Sequence, residues 1–201
     1  MLGRCMLFLV VLLLLFQFLC SLAETGLYAG EKVYMDNNAI LYTKGWLYNF
    51  KWAVKPLSAV ISLGLVVPAL CSCCRPNTSQ GCGTGGKIFP SVLAFFSLVM
   101  AILWAIIVGF QERNNEHNTV GFLINSSTAG GQLIYPLGYG FSLKNDCDAP
   151  LFAQVDFGTT ACTILKADSA IAVVCLAVWG VLLLLSLTLF CGRARAPKTV
   201  V

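Results

Sequence analysis

The sequence predicts an all-α membrane protein: a four-helix transmembrane bundle with two exoplasmic loops, the second able to form a small disulfide-linked cap. Three observations lead there. The 201 residues are 58% hydrophobic and only 11% charged, outside the usual balance of a soluble domain. Four runs are each long enough to span ~30 Å of hydrocarbon, which takes ~20 apolar residues in a helix. The formal charge of +4 is unevenly distributed along the chain. The helices fall at about 5–23, 54–74, 89–110 and 167–191, with exoplasmic loops at 24–53 and 111–166, a cytoplasmic loop at 75–88 and a cytoplasmic tail at 192–201. All 201 residues form one domain.

The first run, Cys5 to Ala23, carries no charge. Arg4, the apolar stretch and Ser21-Leu22-Ala23 also fit a secretory signal peptide cut after Ala23. A retained helix is the favoured reading, and the sidedness of the rest is the same under both. The second run, Leu57 to Cys74, is uncharged but interrupted by Gly64 and Pro68. Phe89 to Phe110 and Ser169 to Cys191 are the cleanest spans.

Sidedness follows from the charges. With the N-terminus inside, the cytoplasmic pieces Met1 to Arg4, Arg75 to Ile88 and Gly192 to Val201 hold six bases (Arg4, Arg75, Lys87, Arg193, Arg195, Lys198) and no acid. The rest of the chain, in which the two exoplasmic loops alone are about three times longer than these pieces, holds seven bases with all nine acids. Bases concentrated in short flanking segments mark the cytoplasmic face. Six scattered bases with little aromatic interleaving do not make a nucleic-acid surface.

The first exoplasmic loop places Trp46, Tyr48 and Trp52 just before the second helix. Amphipathic rings there read as an interfacial belt, with a partner-binding surface as the alternative. In the second loop Cys147 and Cys162 are the cysteines outside the apolar runs, a candidate disulfide in an oxidising lumen. Asn125-Ser-Ser is a glycosylation acceptor on the same side, whereas Asn77-Thr-Ser falls in the cytoplasmic loop, so glycan is expected on Asn125 alone. Cys71, Cys73 and Cys74 crowd the cytoplasmic end of the second helix, Cys82 follows, and Cys191 ends the fourth. Juxtamembrane thiols of this kind (Cys71, Cys73, Cys74, Cys191) are candidates for acylation. Unmodified thiols and a zinc site are the other readings, although paired C-x-x-C elements are lacking.

Transport and proton relay call for ionisable groups within the membrane, and these are missing: the second and third helices are expected to contain no charge. Gln17 is the only amide in the first run, and Asp168, at the mouth of the fourth helix beside Lys166, reads as part of a solvated helix-start pair. Ser97, Ala101, Ala105 and Gly109 stand at four-residue intervals in the third helix. A stripe of small side chains lets helices approach closely in lipid, either inside this bundle or against a partner. His117 is the only histidine and lies in an Asn-rich loop, so a Cys/His or Ser/His couple has one candidate base. Gly81-Cys-Gly-Thr-Gly-Gly86 lacks the Gly-Lys-Ser/Thr ending of a phosphate loop. No catalytic, cofactor or metal residue is assigned. The C-terminal Lys198-Thr-Val-Val201 puts Thr199 two positions before the apolar Val201, the pattern that PDZ domains capture by strand addition.

Four helices, two cytoplasmic ends, two exoplasmic loops and small-residue helix faces resemble tetraspan proteins of the MARVEL type. Cys162-Thr-Ile-Leu-Lys-Ala-Asp-Ser-Ala-Ile-Ala-Val-Val-Cys-Leu-Ala-Val-Trp-Gly180 is similar to the cysteine, short basic link and Ala-rich, Trp-containing final helix of such proteins. Claudins share the topology but carry two cysteines in the first loop, which Gly45-Trp-Leu-Tyr48 lacks. The resemblance implies a non-enzymatic role in membrane organisation, vesicle traffic or cell contact through lateral helix association. An accessory subunit of a larger channel or transporter is the alternative, and an independent pore or carrier comes third. Expected partners are the lipid bilayer, further copies of the chain or other membrane proteins, and a PDZ-domain protein. The expected location is the plasma membrane or secretory and vesicular membranes.

Overall fold

The computed structural model describes residues 2–38, 41–42, 45–74, 85–113, 134–135, 143–144, 146–148 and 158–194. Its main elements are four helices: α1 (Leu2–Asn37), α2 (Trp46–Cys74), α3 (Gly85–Arg113) and α4 (Gly158–Ala194). All four are long and apolar enough to cross a membrane, and the chain is an integral, multi-pass, four-helix bundle. A two-residue strand, β1 (Leu41–Tyr42), pairs in parallel with β2 (Ile134–Tyr135) and ties the two longer connections together at one end of the bundle.

Every helix outruns the apolar segment that announces it. α1 has 36 residues, about 54 Å at 1.5 Å per residue, against ~30 Å of hydrocarbon. The periodicity of burial explains the extension. In α1 the buried positions include Leu7, Val10, Leu14, Gln17, Ser21, Glu24, Tyr28, Glu31 and Met35, spaced alternately by three and four residues, with Val11 buried beside Val10. α3 buries Leu93, Ser97, Met100, Trp104, Ile107 and Gln111, and α4 buries Leu165, Asp168, Ala172, Cys175, Trp179, Leu182, Ser186 and Leu189 in the same rhythm. That repeat is the seam of left-handed helix packing. A hydropathy reading stops where the side chains turn polar, but the helical seam continues. The segments assigned to loops at 24–37, 46–53 and 158–166 are therefore helical.

The helices contact one another in a ring, α1 with α2, α2 with α3, α3 with α4 and α4 with α1. α1 and α3 lie on one diagonal, α2 and α4 on the other. The lower core is apolar, built from Leu7, Val10, Leu14, Leu65, Val66, Ala69, Met100, Leu182 and Leu189 among others. Outward positions are large and apolar on all four helices, for example Phe8, Leu19, Val60, Val67, Phe95, Ile102 and Leu184, as lipid contact requires. Pro56 and Pro68 stand inside α2. Each removes one backbone bond, yet the helix runs through both, and Ser72 Oγ donates 2.7 Å to the Pro68 carbonyl.

Candidate functional site: two polar layers in the bundle core

The first polar layer surrounds Ser58 of α2. Trp104 of α3 and Trp179 of α4 are both buried in the middle of the bundle and each must find an acceptor for its indole N–H. Both donate to Ser58 Oγ, at 3.3 and 3.0 Å. From α1, the Ser21 hydroxyl donates to the same oxygen at 2.9 Å, and Gln17 Nε2 reaches Ser58 at 3.3 Å and Ser21 at 3.2 Å. A hydroxyl oxygen has two lone pairs, so four neighbours share one acceptor. Ser58 thus joins all four helices at a single atom, and Cys175 of α4 is buried alongside.

One turn from Ser58, towards the disulfide-bearing end, lies an ionic layer. Lys55 of α2 forms an ion pair with Glu24 of α1 at 2.6 Å and donates a hydrogen bond to Asp168 of α4. Lys51, one turn further along α2, donates to the other oxygen of Asp168 at 3.2 Å. Both lysines reach across the α2–α4 diagonal. Lys51, Lys55, Glu24 and Asp168 are all at most 2% exposed, and these pairs satisfy charge that is costly to bury alone. The Tyr28 ring lies under both ammoniums, 4.2 Å from Lys55 Nζ and 5.5 Å from Lys51 Nζ. A cation over an aromatic face in a dry site is attractive. Tyr48 and Trp52 pack on Tyr28 at 5.5 and 5.3 Å between ring centroids, and the Tyr28 hydroxyl donates to the Tyr48 carbonyl.

Three sequence expectations are corrected here. Asp168 is not a solvated helix-start residue: it is buried and held by two lysines of another helix. The second helix is not free of charge, because it starts at Trp46 and includes Lys51 and Lys55. Of the three rings assigned to an interfacial belt, only Trp46 is well exposed, with an edge-on contact to Phe110. Tyr48 is buried, and Trp52 is partly covered against Tyr28.

The small-residue stripe of α3 splits. Ser97 is buried, Ala101 is partly packed, and Ala105 and Gly109 face outward. A strict four-residue interval advances about 40° per step on a helix, so the stripe drifts off a seam that alternates three and four. A Cβ added at Gly109 meets nothing within 4 Å.

Cys147 and Cys162 form the anticipated disulfide, with Cα atoms 5.6 Å apart. Cys71 is exposed on α2, Cys73 and Cys74 close that helix, and Cys191 lies in the last turn of α4. Asn125, Thr199 and Val201 lie outside the described residues, as do Asn77, Cys82 and His117.

The ionic layer was legible in part. Glu24, Tyr28 and Glu31 follow one another at four and three residues, and Lys51 and Lys55 at four, which places each set on one helical face. That pattern was present in stretches whose polarity suggested loops. No protein family, no curated protein and no solved structure matches this chain.

Proposed function

We propose that this chain is a non-enzymatic tetraspan protein of the MARVEL type, which organises membrane domains, traffic or contacts through lateral association of its helices. The observation that carries the reading is the partition of chemistry between inside and outside. The hydroxyls, indoles and charges of the two polar layers are directed into the bundle. The outer faces are apolar, and on α3 they include the small residues Ala105 and Gly109, an approach surface for another helix. An interior filled by Trp104, Trp179, Lys51 and Lys55 argues for a packed support over an aqueous pore.

In this reading both termini are cytoplasmic, the disulfide end is exoplasmic and Asn125 carries glycan. Cys71, Cys73, Cys74 and Cys191 are acylated at the cytoplasmic surface, and Thr199 with Val201 engages a PDZ domain. The membrane is the plasma membrane or a secretory or vesicular membrane. Purification in mild detergent with cross-linking is the test. Homo-oligomers support lateral self-association, a stoichiometric larger protein supports an accessory subunit, and ion flux from the purified protein alone contradicts both.

A further inference from the structure

The ionic layer does not balance. Three carboxyl groups (Glu24, Glu31, Asp168) share the site with two ammoniums (Lys51, Lys55). Glu24, Asp168, Lys51 and Lys55 form a neutral set through their ion pairs, and Glu31 is the remainder. Its side chain is 1% exposed, and neither carboxyl oxygen has a hydrogen-bond partner among the described residues. It stands on the buried seam of α1, three residues beyond Tyr28, within electrostatic reach of Asp168, Lys51 and Lys55. Glu24 and Tyr28 share its buried seam on α1, and the charged groups acting on it from the neighbouring helices are Lys51 and Lys55 of α2 and Asp168 of α4. The described side chains of α3, residues 88–111, include no acid or base.

An ionised carboxylate without donors in a low-dielectric interior is strongly disfavoured, and it either takes up a cation or is neutralised by a proton. We propose that Glu31 is the cation-binding group of this layer, taking one proton or one alkali-metal ion to cancel the charge that the two lysines leave uncompensated. The shared chemistry is a single positive charge delivered to the Glu31 carboxyl. Glu24, whose oxygens also lack a hydrogen-bond partner, has the Lys55 ammonium at 2.6 Å, and Asp168 is paired with both lysines. Occupancy of Glu31 stabilises the packing of α1 against α2 and α4, which a bare buried carboxylate opposes.

The test uses the full chain in lipid nanodiscs, with thermal unfolding followed from pH 5 to pH 9 in sodium, potassium or the bulky cation N-methylglucamine. If an alkali ion is the ligand, replacing N-methylglucamine by sodium or potassium at alkaline pH raises Tm by several degrees. If the proton is the ligand, Tm rises as pH falls and is insensitive to the cation. Glu31→Gln, which is neutral at every pH, abolishes whichever response is seen. Equal responses of wild type and Glu31→Gln to both variables overturn the proposal, as does a wild type that responds to neither. Should Glu31→Gln fail to accumulate, infrared spectroscopy of the wild type and Glu31→Asp decides. A neutral carboxylic-acid band that appears with acid or without alkali ions, and shifts in Glu31→Asp, supports the assignment. An absent band, or one unmoved by Glu31→Asp, overturns it.

Discussion

A single hydroxyl, Ser58 Oγ, carries an unusual share of the bundle's polar contacts. Replacing it by Ala leaves two buried indole N–H groups without their acceptor, and an orphaned buried donor costs about 1–3 kcal/mol. Ser58→Ala is therefore expected to lower stability by about that much per orphaned donor, measured by unfolding in a denaturing detergent titration. Combining it with Trp179→Phe is expected to cost less than the sum of the two single changes, because both remove the same bond. Asp168 is the second sensitive residue. Asp168→Ala strips two buried lysines of a shared partner, and breaking a buried pair from one side costs about 3–5 kcal/mol. The same titration checks it. A loss under 1 kcal/mol contradicts the buried ionic layer.

At the scale of the element, the alternating three-and-four seam decides what each helix residue does. It explains why Gly109 is open while Ser97 is not, and it allows fold and association to be tested separately. Gly109 is exposed and a Cβ there meets nothing within 4 Å, so Gly109→Leu is expected to leave thermal stability within about 0.5 kcal/mol of wild type, the usual range for a surface change. If lateral association uses this face, the same variant reduces cross-linked oligomers several-fold. A variant that oligomerises normally assigns association to another face. The junction of α4 with its preceding loop yields a further expectation. The disulfide closes a loop with a sequence separation of 15, and such a closure stabilises by about 3 kcal/mol in the chain-entropy account. Cys147→Ser is expected to lose roughly that amount, and only the wild type should shift on a non-reducing gel.

For the whole molecule, sidedness is the proposal that the charge asymmetry carries. Glycosidase treatment of the protein from eukaryotic membranes, with Asn125→Gln and Asn77→Gln variants, checks it directly. Glycan is expected on Asn125 and not on Asn77, and the opposite result inverts the topology. Acylation of the cytoplasmic cysteines and PDZ capture of the tail would then fail together.

What the sequence determined by itself was the presence and approximate place of four spanning helices, since hydrocarbon demands long apolar runs with internally paired backbones. The candidate pairing of Cys147 with Cys162 was also legible, because the other cysteines lie within or beside apolar runs or in the loop assigned to the cytoplasm. The ends of the helices were not. Glu24, Glu31 and Lys51 look like loop residues to any reading that weighs polarity alone, Lys55 stands at the edge of the expected second helix, and their helical spacing gains meaning only once partners are known. Those partners belong to the tertiary structure. Lys55 and Asp168 are 113 residues apart in the chain, and Ser58 and Trp179 are 121. Each pair meets across the diagonal of a four-helix ring. Periodicity is a property of one helix at a time, whereas which seams face each other, and which carboxyl is left over, depends on how all four are packed.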